Sequence, residues 1–419
     1  MCYRWHDVLI MLDMGLYMKR IYLFVAALTV VILAGCSHTT NASTKSDKVL
    51  SNTAPWSIRM AESEMQRFPE AYMIDWRTEL KWDYVHGLNL LAFSKLYLKT
   101  KDQRYFDYVK GYYDSLVSEQ GEIKTYDIKK YNIDMINPGK VLYFLYDQTG
   151  DTRYIKAADT LRSQLNDHPR TSEGGFWHKK RYPSQMWLDG LYMGAPFYAE
   201  YIMRYGKPDE LNDVYLQFEL IEKHLYSADT GLPRHGWDES REQRWADKET
   251  GLSMHHWSRA LGWYAMAIVD VLEITPAQNA KHQWLSERFK NFVDHVVKYQ
   301  DETGNWYQVT DLGDREGNYL EGSSTAMLTY AIAKGVNLGV LPESYRATAE
   351  KGFAGMLDQL VSVSPENNLV NLDQVCAVAG LGGNPYRDGS FDYYIGETIK
   401  SNDPKGVGPF IMAALELNK

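Results

Sequence analysis

From residue 54 to residue 419, apolar positions recur at the three- and four-residue spacing of helices with one buried face, and the pattern resolves into about twelve helical segments. The breaks between segments alternate in length. Compact turns such as Thr100-Lys101-Asp102, Thr149-Gly150-Asp151, Gly206-Lys207-Pro208 and Thr275-Pro276 alternate with long connectors near 67–81, 119–131, 168–186, 227–253, 301–319 and 361–403. Helices joined by turns of a few residues lie antiparallel. The long connectors therefore gather at one end of a helical bundle, and long loops on a rigid scaffold are where sites are built. No Gly-, Ser- or Pro-rich linker divides this stretch, so residues 54–419 are expected to form one large all-α domain.

Each helix that follows a long connector starts at the loop-bearing end, where its first turn can reach a shared cavity. In order, these first turns read Trp82-Asp83-Tyr84, Tyr131-Asn132-Ile133-Asp134, Met186-Trp187-Leu188-Asp189-Gly190, His255-His256-Trp257-Ser258-Arg259, Glu321-Gly322-Ser323-Ser324 and Asn402-Asp403-Pro404-Lys405-Gly406. An acid at a helix start is ordinarily a cap or a partner of the helix dipole. Asp189 stands apart because its neighbours Trp187, Leu188 and Leu191 belong to the buried stripe, where a carboxylate is costly without partners. Asp134 enters from another helix at the same end. If the two carboxylates lie close, one is driven to hold its proton, as a general acid requires. The connectors add His178 and His235 among aromatic neighbours, either able to orient a water or a sugar hydroxyl. Arg259, between Trp257 and Trp263, offers a guanidinium fork for a substrate carboxylate, with a salt bridge to a barrel Asp as the alternative.

Composition narrows the chemistry. Aromatic residues make up 13% of the chain, with 12 Trp and 31 Tyr, which suits a helical core and also the stacking faces of a sugar cleft. The formal net charge is −9 and the chain reads without a basic cluster, which argues against nucleic acid as a partner. His178, His235, His255 and His256 lack H-x-x-x-H or H-E-x-x-H spacing, which argues against zinc, and no phosphate loop, nucleophile elbow or Rossmann fingerprint occurs.

The N-terminus is a separate region. Met18-Lys19-Arg20 precedes an apolar run of about 13 residues, the length of a secretory signal and too short for an ordinary membrane span. The run ends Leu33-Ala34-Gly35-Cys36, the pattern of a bacterial lipoprotein signal cut before a lipidated Cys36. Residues 1–35 are thus expected to be an upstream extension and signal peptide, with Met18 a candidate true start. Residues 36–53 are expected to be a lipidated cysteine and polar tether, and the location the bacterial cell envelope, periplasmic or outer-membrane associated. The remaining cysteines, Cys2 and Cys376, form no disulfide framework, and Cys376 reads as a small core residue.

The segments Met186-Trp187-Leu188-Asp189-Gly190-Leu191-Tyr192-Met193, Arg234-His235-Gly236-Trp237-Asp238 and Trp257-Ser258-Arg259-Ala260-Leu261-Gly262-Trp263, with Asp403-Pro404-Lys405-Gly406-Val407-Gly408-Pro409-Phe410 near the end, resemble glycoside hydrolase family 105, the unsaturated rhamnogalacturonyl hydrolases. Family 88, the unsaturated glucuronyl hydrolases, shares the fold and the acid pair. The third segment departs from the Arg-Gly-Asn-Gly-Trp more usual in family 105. The resemblance covers roughly residues 55–419 and implies an (α/α)6 barrel of six helical hairpins. It also implies hydration of the C4–C5 double bond in the terminal uronic acid that a polysaccharide lyase leaves behind, in place of direct displacement at the anomeric carbon. By that resemblance Asp189 is the general acid/base, Asp134 the second essential acid, and His235 a positioner of water. Arg259, Trp257, Trp263 and His178 would line the sugar subsite, with Trp82 and Lys405 as weaker correspondences. Pectic rhamnogalacturonan fragments are the expected substrate. The alternatives are an unsaturated glucuronyl hydrolase acting on glycosaminoglycan or ulvan fragments, a helical-barrel glycosidase or epimerase acting on ordinary sugars, and a non-catalytic glycan-binding lipoprotein.

Overall fold

Twelve helices of 11 to 18 residues alternate between outer and inner positions in the structure, a computed structural model that describes residues 49–419. The outer helices are α1 (Trp56–Arg67), α3 (Gln103–Leu116), α5 (Arg153–Asn166), α7 (Leu211–His224), α9 (Ala280–Val296) and α11 (Arg346–Gln359). The inner ones are α2 (Tyr84–Thr100), α4 (Gly139–Thr149), α6 (Leu188–Tyr205), α8 (Ser258–Ile274), α10 (Gly322–Asn337) and α13 (Pro404–Glu416); a short α12 (Phe391–Gly396) lies in the last long connector. Around the inner ring α2 packs on α4, α4 on α6, α6 on α8, α8 on α10, α10 on α13, and α13 returns to α2. This is the expected (α/α)6 barrel.

The two rings follow from their sequences. In α8 every residue from Ser258 to Leu272 is buried, as a helix enclosed on all sides demands. In α9 only one stripe is buried, through His282, Leu285, Phe289, Phe292, Val293 and Val296. Truncating one of these core aromatics, such as Phe289, would cost about 3–5 kcal/mol.

All six inner helices start at the end that carries the long connectors. Three two-stranded antiparallel pairs lie in those connectors: β1 (Gln185–Trp187) with β2 (Gly236–Asp238), β3 (Val361–Val363) with β4 (Val370–Leu372), and β5 (Val375–Cys376) with β6 (Ile399–Lys400). Two glycines permit close approaches there. A Cβ on Gly87 would sit 2.6 Å from Pro138 Cα, just after the turn that carries Asp134, and one on Gly236 would sit 2.9 Å from the Trp187 ring.

The expected signal peptide, Cys36 and most of the tether lie outside the described residues. The end of the tether stretch is already docked. Leu50 is buried, its N–H donates to the Asn367 carbonyl at 2.9 Å, and its own carbonyl accepts from the Asn368 amide at 2.9 Å.

Candidate active site at the loop-bearing end

The acids at the inner-helix starts separate by what their side chains bond. Asp83, Glu321 and Asp403 are N-caps, accepting from the backbone N–H of Val85, Ser324 and Lys405 respectively. Asp189 is not a cap. It lies in the first turn of α6, whose N-cap is Trp187, and no side chain caps that helix. Asp134 is not on the inner helix at all. It sits on a 3-10 turn, Ile133–Ile136, capped by Asn132, and the helix proper begins only after Pro138. Asn137 and Pro138 keep helical backbone angles, but Pro138 has no N–H to donate back to the Asp134 carbonyl, so the α-helical ladder starts only after it.

Asp189 and His235 are brought together by the strand pair. β1 leads into Asp189, β2 follows His235, and the Leu188 N–H donates to the His235 carbonyl at 3.0 Å. Asp189 Oδ2 and His235 Nε2 then lie 3.4 Å apart. Both atoms are buried, and neither has a hydrogen-bond partner among the described residues. His235 is held from its other side, where Nδ1 lies 2.7 Å from the Tyr394 hydroxyl. Its ring packs against Trp257, with centroids 4.8 Å apart, and edge-on to Trp187.

Asp134 has counter-charge of its own. Lys179 Nζ lies 2.5 Å from Oδ2, and His178 Nε2 lies 3.4 Å from Oδ1. Burial pushes the His178 pKa well below the usual imidazole value, and Lys179 pushes it the same way, so His178 meets Asp134 as a neutral ring. His178 stacks on Trp187 at 4.4 Å and 15°, and Tyr182 covers the opposite face at 5.1 Å and 18°. The indole is thus clamped two residues before Asp189.

The remaining expected site residues are placed differently from one another. Trp82 is buried, donates from Nε1 to the Met135 carbonyl at 2.8 Å, and lines a cavity beside Asp134. Trp257 donates to the Gln308 side chain at 3.1 Å and stacks on Tyr394. Arg259 is 1% exposed and is engaged within the barrel: it donates to Ser323 at 3.2 Å and to the Cys376 carbonyl, and it lies 3.9 Å from Glu321. Its intramolecular salt bridge is therefore the reading the structure realises, though to a glutamate rather than an aspartate. Trp263 points deeper, stacked on Tyr192 at 4.9 Å within the barrel core. Lys405 is tied to Asp403 at 2.7 Å.

Several contributors were not singled out from sequence. Lys179, Tyr182, Tyr394 and Glu321 all hold expected site residues. Lys179 had a local signal, since it follows His178 directly. One reading is corrected outright: Lys179-Lys180-Arg181 and Lys130 do form a basic cluster, hidden by the net charge of −9. Cys376 is buried as expected, yet its backbone does more, accepting from Arg259 and donating to Glu321 at 2.9 Å.

Comparison with known proteins shows the family to which this barrel belongs. The family model described as Glycosyl Hydrolase Family 88 matches residues 56–419. A solved glycoside hydrolase from family 105 of C. acetobutylicum ATCC 824 is 44% identical, superimposes with a TM-score of 0.83, and covers 87% of this chain and 99% of its own. Protein Atu3128 of Agrobacterium fabrum is 40% identical over 231 residues, 54% of this chain and 97% of that protein. The unsaturated rhamnogalacturonyl hydrolase YesR of Bacillus subtilis is 25% identical over 286 residues, 67% of this chain and 76% of that protein.

Proposed function

The chain belongs to the glycosyl hydrolase 88/105 family, and we propose that within it the protein removes the 4,5-unsaturated uronic acid from the non-reducing end of lyase-generated oligosaccharides, with pectic rhamnogalacturonan fragments as the leading substrate. The observation that carries this reading is the pairing of Asp189 Oδ2 with His235 Nε2, 3.4 Å apart, buried, and both without partners among the described residues. A half-buried acid that does not cap its helix and keeps one buried oxygen without a bond is costly as structure and useful as chemistry.

In this mechanism the Asp189 carboxyl delivers its proton to C4 of the vinyl ether, and positive charge develops at C5 and the ring oxygen. Water held between His235 and Asp189 adds to C5 and gives its proton to the Asp189 carboxylate, which restores the acid. The C5 hemiketal opens to a ketone and leaves a hemiacetal at C1. That hemiacetal collapses to an aldehyde and releases the rest of the sugar as an alcohol. Asp134, fixed by Lys179, accepts from sugar hydroxyls, while Trp257 and Tyr394 wall the site beside the imidazole. Arg259 acts from behind this wall, bracing α8 against Glu321. No metal or organic cofactor enters, because the enol ether supplies the reacting electrons.

The test is loss of the ultraviolet absorbance of the conjugated enol ether on a panel of pectic, glycosaminoglycan and ulvan lyase products. The reading expects decay, fastest on pectic products. Faster decay on the glycosaminoglycan or ulvan products would move the assignment to an unsaturated glucuronyl hydrolase. Steady absorbance on every product would overturn the hydrolase reading in favour of a glycan-binding protein. Attachment to the cell envelope through Cys36 is part of the same proposal and rests on Leu33-Ala34-Gly35-Cys36. Release of a Cys36→Ser protein from the membrane fraction would support it, and unchanged partition would end it.

A further inference from the structure

Beside Asp134 lies a cavity of about 590 Å³, inside the roughly 300–1,000 Å³ range of small-molecule sites. Its charged lining is Lys81, Lys130, Lys179, Lys180 and Arg181 against a single acid, Asp127. That is the reverse of the balance of a chain with net charge −9. Two of the cations are already matched: Lys81 lies 2.9 Å from Asp83 and Lys179 2.5 Å from Asp134. Lys130, Lys180 and Arg181 have no carboxylate within ion-pair distance among the described residues. Three like charges facing one cavity repel one another, an arrangement that a bound anion relieves.

The wall that carries them is built rather than draped. The Lys180 N–H donates to the Tyr131 carbonyl at 3.0 Å, and the Ile133 N–H donates to the His178 carbonyl at 3.2 Å, which stitches the two loops together. The Lys180 amine lies 5.4 Å from the centre of the Tyr131 ring, and the Arg181 guanidinium 4.9 Å from that of Tyr182. Tyr182 is the ring stacked on Trp187, two residues before Asp189. The cationic wall is therefore linked to the helix that carries Asp189 through Tyr182 and Trp187.

We propose that Lys130, Lys180 and Arg181 form a subsite for a second fixed anion of the oligosaccharide, a carboxylate or sulfate ester on the leaving-group side of the reacting uronate. This inference rests on the hydrolase reading for its substrate, but the subsite can be measured without turnover. It makes the protein selective for fragments that carry a second anion on the next one or two sugars over fragments that carry none.

The experiment measures binding to the full-length Asp189→Asn protein, using saturated oligosaccharides whose second or third residue is neutral, uronic or sulfated. The measurements are repeated in a background carrying Lys130→Ala, Lys180→Ala and Arg181→Ala. The expected result is about tenfold tighter binding of a uronic or sulfated ligand than of the neutral one, a preference lost in the triple variant and weakened by salt. Comparison of the uronic and sulfated ligands identifies which anion is preferred. In the active protein, the triple substitution should raise KM for the charged substrate and leave kcat unchanged, as loss of uniform binding does. Equal binding of neutral and charged ligands, or equal weakening of both in the triple variant, overturns the subsite. Absence of turnover with the charge preference intact would overturn the hydrolase reading alone.

Discussion

The two ends of the barrel both bury charge, and they treat it in opposite ways. At the short-turn end, Asp270 accepts from Lys334 at 2.7 Å and from the Tyr330 hydroxyl at 2.8 Å, and Lys334 reaches Glu273 at 2.6 Å. Burial works to raise the Asp270 pKa, and Lys334, Lys95 and Lys140 together outweigh it, so the carboxyl stays below its usual range. At the loop-bearing end, Asp189 Oδ2 and His235 Nε2 face each other, and neither atom has a hydrogen-bond partner among the described residues. Asp270 lies about 18 Å along α8 from the helix start, so the two settings belong to one rigid scaffold. The lesson is that burial alone does not mark a functional acid. The satisfied network holds the barrel together, and the unsatisfied pair is the one proposed to meet a substrate.

That contrast can be broken in four places. Asp189→Asn should lower the rate of absorbance loss by about 10²–10⁴-fold with the unfolding midpoint almost unchanged. A large stability change with activity retained would erase the distinction. Lys334→Ala should do the converse, costing about 3–5 kcal/mol in urea unfolding while the folded fraction keeps its kcat, because Asp270 is left buried and uncompensated.

Glu64 offers a sharper control. It is fully buried near the loop-bearing end of α1 and accepts from Asn89 at 3.1 Å. Burial raises its pKa to about 7, with Arg67 and Asn89 opposing. Between the ordinary value of 4.5 and about 7, the folded protein holds a proton that the unfolded chain releases, so this group's contribution to stability falls as pH rises through that window. Glu64→Gln should therefore gain in unfolding midpoint relative to the parent from pH 4.5 to about 7 and level off above, with no change in the pH–rate profile. Smallest is Tyr394→Phe, which frees His235 Nδ1. It should lower kcat about fivefold, the equivalent of one hydrogen bond, with little change in KM.

The fold was legible because twelve helical segments and an alternation of gap lengths are local properties of the chain. The proposed site was legible as far as Asp189, whose place among Trp187, Leu188 and Leu191 is a local anomaly. What could not be read was partnership across distance. Tyr394 reaches His235 from 159 residues away, and Arg259 meets Cys376 across 117. Trp263 and Arg259 shared a helix start with Trp257, but which way each turned depended on Tyr192, Ser323 and Cys376. Asp134 was assigned to a helix because the residues around it read as one, and Pro138 moved the start. The basic cluster was missed for a different reason, since a net charge averages over the surface that a cavity selects.

The ladder between β1 and β2 has a consequence for how such a barrel can change. The acid and the imidazole are fastened to each other through Leu188 and His235, rather than each to its own loop. Insertions or deletions farther out along the rim would carry both groups as a unit and preserve their spacing. The reacting pair behaves as a cartridge, and the surrounding loops can be redrawn for a new polysaccharide without resetting the chemistry beneath.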